Sequence, residues 1–358
     1  MWPDRRLLDL FKIDIPIVQA PMAGVQDADV MIGAAQGGAL ASLPSAMLSV
    51  EKTREQINIF RQRVSAPVNM NFFCHTAVDA DPAQDVKWRT RLEPYFKEYG
   101  LDPNATIDAA NRAPFDMKMC ELVVELKPEV VSFHFGLPDK AIMKRLKDAG
   151  CVVIGSATIV KEAVWLEANG ADAIIAQGAE AGGHRGMFLT ESIASQIGTF
   201  ALVPQVVDAV RVPVIAAGGI ADGRGIAAAF ALGACGVQIG TAYLHTPESK
   251  VSDGGRKALS EASDDATVIT NVMTGRPARG VANRLMREVG PVSLDAPTFP
   301  HAATALAPLK VAAEKQGRVD FTNLWAGQTV AMRRDINAAD LTRALAAEAQ
   351  ICLKKLTS

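Results

Sequence analysis

The sequence predicts an α/β protein of the (β/α)8 TIM-barrel class with an added, mainly helical region that covers the substrate. Eight short apolar or β-branched runs, each closed by small or polar residues, alternate with helical patterns along the chain. Glycine turns follow the last two runs, and a glycine-rich loop carrying one His and one Arg follows the sixth. The 358 residues exceed the roughly 250 of a typical barrel, which leaves room for one barrel and an appendage.

In order, strands are expected at 15–20, 39–43, 68–72, 130–133, 152–154, 173–176, 214–217 and 237–239. Helical patterns at 51–64, 117–126, 140–149, 161–168, 201–210 and 224–232 lie between them as crossover connections. With Met22, Pro44, Asn71, His134, Ser156, Gln177, Gly218 and Gly240 taken as strand ends, most steps are 21 to 27 residues, as a repeated βα unit requires. Two steps are longer. The one between Asn71 and His134 holds an insertion, roughly 74–115, rich in charge and proline, and the one between Gln177 and Gly218 holds the His184 loop. Both open where strand C-termini point, the catalytic face of this fold. After Thr241 no ninth repeat is visible, and helical patterns follow at 302–314, 325–332 and 338–355. The expected division is therefore a barrel of 1–73 and 116–248, with 74–115 and 249–358 forming a layer over its mouth.

A net charge of −2 with interspersed signs offers no basic face for nucleic acid and no polybasic segment for a membrane. The expected partner is a small molecule. Five cysteines, odd in number and without a C-x-x-C pair, argue against a disulfide framework or a zinc site. No secretory segment or long apolar run occurs, so a cytoplasmic location is expected.

The strand ends carry amides, imidazoles and glycines, with no lysine for a Schiff base and no carboxylate set for a metal. Such a site has little chemistry of its own. Glycine turns at Gly218-Gly219 and Gly240-Thr241 suit a phosphate beside a helix N-terminus, and amides suit the edge of a planar heterocycle. A phosphate-bearing cofactor that supplies the reactivity is the economical inference, and FMN fits best. Asn71 and Gln177 are expected on the flavin ring edge, with Gly219 and Gln238 to Thr241 on the phosphate. The spacing Gly219-x-x-x-Gly223-x-Gly225 does not match the G-x-G-x-x-G dinucleotide fingerprint. His184, between glycines in a ligand-facing loop, is the expected catalytic residue. His134, ending a strand among aromatic residues, is either a packed residue or a substrate contact.

Taken together, Gln19-Ala20-Pro21-Met22-Ala23-Gly24, Ser132-Phe133-His134-Phe135-Gly136, the run from Ile175 to Gly186 and that from Ala216 to Gly225 resemble the class I nitronate monooxygenases, formerly called 2-nitropropane dioxygenases. Leu324-Trp325-Ala326-Gly327-Gln328 is similar to that family's C-terminal region. The resemblance implies FMN contacts from Met22, Asn71, Gln177, Gly182, Gly219, Gln238, Ile239, Gly240 and Thr241, with His184 catalytic. It implies oxidation of alkyl nitronates, propionate 3-nitronate first among them, by molecular oxygen to a carbonyl compound and nitrogen oxyanion. The Ala-Gly-Gly-His element is shared with related barrels, so the alternative is an NADH-dependent FMN reductase of a quinone or an enoyl-acyl carrier protein. A non-redox barrel that grips a phosphate-bearing ligand is the reading from a different class.

Overall fold

Eight parallel strands close into a barrel in a computed structural model that describes residues 2–105, 107 and 112–357. The barrel strands are β1 (Ile17–Gln19), β2 (Ala41–Pro44), β3 (Val68–Phe73), β4 (Val130–His134), β5 (Val152–Ala157), β6 (Ala173–Gln177), β8 (Val214–Ala217) and β9 (Gly236–Ile239). Their order is β1-β9-β8-β6-β5-β4-β3-β2. A parallel bridge between Val18 and Leu40 joins the two edges. A second, antiparallel sheet runs β10-β11-β7, from Thr267–Thr270, Ala278–Val281 and Gly183–His184.

The helices are α1 (Arg6–Phe11), α2 (Ala28–Gln36), α3 (Val50–Arg63), α4 (Pro82–Glu98), α5 (Met117–Leu126), α6 (Lys140–Asp148) and α7 (Val160–Ala168). They continue with α8 (Thr199–Ala209), α9 (Gly223–Ala231), α10 (Asp253–Glu261), α11 (Arg284–Val289), α12 (Ala302–Lys315) and α13 (Ala338–Thr357). Their starts follow local chemistry. Asp27, Ser49, Asp116, Asp139 and Asp222 each accept from a backbone N–H of the first turn of α2, α3, α5, α6 and α9, a cap worth about 1 kcal/mol. Asp81 does the same for α4, with Pro82 in the first turn where its missing N–H costs nothing.

Strand alternation decides what faces where. In β6 and β8, Ala173, Ile175, Ile215 and Ala217 point into the barrel, while Ile174, Ala176, Val214 and Ala216 pack under the helices. The interior cluster also contains Leu7 and Phe11, so α1 seals the N-terminal end of the barrel. Only the opposite end is left for a ligand.

The insertion and the following chain share a second core. Trp88, Leu92, Tyr95 and Phe96 of α4 pack with Met273, Leu285, Leu309 and Phe321. The last helix departs from the expected cover over the mouth. α13 lies along α2 and α9 on the outer ring of the barrel, where Leu341, Leu345 and Ala349 join the main core. Among the described residues, no helix is long and apolar enough to cross a membrane.

Candidate active site

All eight expected strand ends, from Met22 to Gly240, line one cavity at the open end of the barrel. The inward half of the strand period explains the convergence, because Asn71, His134, Ser156, Gln177 and Gln238 each stand on the interior face. Every site residue expected from the sequence lines this cavity except Ile239. That residue falls on the other half of the period, between Gln238 and Gly240, and its side chain is buried among the residues under the helices. Only its backbone is left to contribute.

The His184 loop is held from several sides. Gly183 and His184 form β7 and pair with Arg279 and Ala278 of β11. The His184 carbonyl accepts from Gln177 Nε2 at 3.0 Å and lies 2.9 Å from His134 Nε2. Since a carbonyl only accepts, His134 carries its proton on Nε2. Gln177 Oε1 accepts from Gly186 N at 2.7 Å, so its side-chain amide ties the end of β6 to the loop on both sides of Arg185. Arg185 is fully buried and turned away from the cavity, donating to the carbonyls of Gln177 and Gly178 and to Gln196 Oε1. It therefore supplies structure to the loop and no charge to the cavity. Gly182 is required by close approach, because a Cβ there would lie 2.6 Å from the backbone of Ala326 and Gly327. That tail segment is tied in turn to Thr241, whose Oγ1 accepts from Gly327 N at 2.9 Å.

Glu162 anchors the outgoing limb of the loop. Its carboxylate is fully buried and accepts four hydrogen bonds, from Thr158 N and Oγ1 and from Phe188 N and Leu189 N. From the third position of α7 it reaches back past Ile159, which makes no side-chain cap, to Thr158, and so ties the chain entering the helix to the loop.

The glycine turns carry unpartnered donors. Among the described residues, the backbone N–H groups of Gly219, Gly240 and Thr241 make no intramolecular hydrogen bond. The helix N-terminus expected beside them is already satisfied: Asp222 accepts from Arg224 N and Gly225 N, and Glu348 of α13 accepts from Gly223 N. Glu180, on the cavity wall, is likewise committed to Thr199 at the start of α8. Any anion here is left to the turns themselves.

Electrostatically the cavity is cationic and aromatic. Arg112, Lys310, Phe73, Thr274 and Trp325 line it together with His184 and His134, and Phe299 stacks edge-on to His184 at 5.4 Å. Burial, followed by His134, Arg112, Arg276 and His75, pushes His184 well below the usual imidazole range. Burial also holds His134 and His75 at about 4, with Arg276 adding to both. These imidazoles are neutral at neutral pH. Arg276 stays charged, its guanidinium 3.9 Å above the Phe135 ring and bonded to the Met187 carbonyl.

Arg112, Lys310, Thr274 and Phe299 come from the insertion and tail, outside the strand-end logic that located the others. Their positions follow from packing between remote segments, for which the sequence holds no periodic signal.

Comparison with known proteins fixes the family. The nitronate monooxygenase family model matches residues 4–348. The chain belongs to the nitronate monooxygenase family. A nitronate monooxygenase of Paraburkholderia phytofirmans is 40% identical over 354 residues, covering 98% of this chain and 97% of the relative. The solved structure of nitroalkane oxidase from Streptomyces ansochromogenes is 36% identical with a TM-score of 0.88, covering 98% and 99% of the two chains. FabK from Thermotoga maritima shares the fold at 26% identity and a TM-score of 0.74, covering 100% and 99%. Nitronate monooxygenases are flavin-dependent oxidoreductases, and this member is an enzyme of that class.

Proposed function

We propose that this enzyme binds FMN and oxidises small alkyl nitronates with molecular oxygen to a carbonyl compound and nitrogen oxyanion. The observation that carries the reading is one cavity whose wall includes both unpartnered N–H groups at the glycine turns and a neutral His184 with the cations Arg112 and Lys310. The donor set suits FMN. The N–H groups of Gly219, Gly240 and Thr241 would hold the phosphate, and Gln238 Oε1, buried without a partner, would face a ring donor. Asn71 Nδ2 is bonded to Ser132 Oγ at 2.9 Å, which leaves its carbonyl oxygen for the same edge. Met22 and Gly182 complete the wall, while Gln177 acts mainly by holding the loop. When bound, the flavin supplies the electron acceptor that the side chains lack.

The chain's own residues bind and orient the substrate. Arg112 and Lys310 attract an anion, and a second anionic group such as the carboxylate of propionate 3-nitronate gives each cation a partner. Phe73, Phe299 and Trp325 exclude water, which strengthens those contacts. His134 acts through the His184 backbone as well as lining the cavity. His184, neutral and on the wall, accepts the α-proton when the substrate arrives as a neutral nitroalkane.

Cofactor released by heat and separated by chromatography should be FMN, and oxygen uptake should follow addition of propionate 3-nitronate. Released FAD, or a protein that neither carries nor takes up FMN, would overturn the cofactor assignment.

A further inference from the structure

We propose that Thr274 is a positioning residue that fixes the tautomer of His184, placing the proton on Nε2 and leaving the lone pair of Nδ1 to face the cavity. This rests on His184 being the proton acceptor.

His184 Nε2 lies 2.9 Å from Thr274 Oγ1. A hydroxyl has a single proton to give, and that of Thr274 has a second acceptor in the Arg276 carbonyl, at 3.4 Å. With the hydroxyl donating to that carbonyl, its lone pair faces the ring and Nε2 must be the donor. No other hydrogen bond reaches the ring among the described residues, and the ring lines the cavity. Thr274 is almost fully buried, so water does not compete for the same contact. Its hydroxyl is held in place by the sharp turn before β11, in which Gly275 N donates to the Asn271 carbonyl. The other end of His184 is pinned through its carbonyl by Gln177 and His134. The ring is thus held at both ends, with one nitrogen left over.

The step this serves balances simply. The α C–H bond of a nitroalkane breaks, its proton goes to Nδ1, and its electron pair forms the C=N bond of the nitronate. The resulting imidazolium keeps its Nε2–H bond to Thr274. The groups facing it are His134 from β4, His75 beyond β3, Arg112 from the insertion, Arg276 from the turn before β11 and the cavity-lining Lys310. None of these is a carboxylate, and the carboxylate on the cavity wall, Glu180, is committed to Thr199, so the proton leaves again by exchange with solvent or product. With the wrong tautomer, Nδ1–H points at the substrate and proton transfer stops, while binding of an already formed nitronate is affected less.

The test uses the 15N-labelled full chain, with the His184 ring signals assigned by their loss in His184→Asn. Long-range 1H–15N correlation should show Nδ1 as the unprotonated nitrogen in the wild type and in Thr274→Ser, which keeps the hydroxyl. Thr274→Val should show a mixture of tautomers. On a neutral nitroalkane, Thr274→Val should lose about tenfold in kcat/KM, more than on the matching nitronate, with Thr274→Ser restoring most of the loss. A wild-type ring protonated on Nδ1, or a Thr274→Ser ring that has switched, would overturn the proposal even if Thr274→Val does not fold. Unchanged nitroalkane turnover in His184→Asn would instead defeat the proton-acceptor reading while leaving the tautomer result standing.

Discussion

Replacing Glu162 should loosen the limb that leaves His184 without touching the cavity wall. In Glu162→Ala, four donors lose their acceptor: Thr158 N at 2.7 Å and Oγ1 at 2.8 Å, Phe188 N at 2.7 Å and Leu189 N at 3.0 Å. An orphaned buried donor costs about 1–3 kcal/mol. Water entering the vacated space and rotation of the Thr158 hydroxyl relieve part of that, so the two loop amides set the scale at about 3 kcal/mol for local opening. Each ~1.4 kcal/mol is tenfold in an opening equilibrium. Hydrogen exchange at Phe188 and Leu189 should therefore accelerate by about a hundredfold, with the amides of β4 and β5 changing far less. Loss of loop order should also lower kcat/KM, because Phe188, the first residue Glu162 anchors in the loop, is four residues from His184. Exchange at both amides unchanged within a few-fold would refute the anchor.

The remaining predictions concern the cavity. His184→Asn should lose more activity on neutral nitroalkanes than on preformed nitronates, measured by initial rates with both forms; equal losses would assign His184 to anion binding. Lys310→Met and Arg112→Met should each raise the KM for propionate 3-nitronate by about tenfold, as for loss of a partly desolvated charge contact, and only the one that removes the nitronate group's own partner should do the same for ethylnitronate. Gly219→Asp should abolish flavin retention, since its φ of +71° disfavours a side chain and the new carboxylate would stand beside Glu180; a yellow purified variant would contradict this. His134, held at about 4 by burial, takes up its proton in the unfolded chain at higher pH than in the fold. Between pH 6.5 and 4 the unfolded chain thus binds more protons, and stability should fall as pH falls. Urea midpoints across that window should decline less steeply in His134→Asn.

Where a residue answers to strand periodicity, the sequence already reveals its place. Asn71, His134, Ser156 and Gln177 reach the cavity because they end inward-facing runs, and the same rule should have withheld Ile239, one step out of phase with Gln238. The run Thr267-Val268-Ile269-Thr270 carries its own strand signal in its β-branched residues, but nothing local announces that β11 pairs with Gly183-His184. That pairing is a long-range contact, as are the placements of Arg112 and Lys310. Arg185 illustrates the limit at a single residue. Set between His184 and Gly186 in a glycine-rich loop, it carries no local signal of burial, yet two carbonyls and Gln196 hold it fully inside. The seat of α13 on α2 and α9 is equally non-local: Thr342 there bonds Tyr243 at 2.7 Å.

The most direct test of the central claim is anaerobic mixing of the purified flavoprotein with propionate 3-nitronate and, separately, with NADH, followed by the visible flavin absorption. The nitronate should bleach the flavin band and readmitted oxygen should restore it, while NADH leaves the band unchanged over the same time. Rapid bleaching by NADH with no response to the nitronate would contradict the account and place the protein among the flavin reductases.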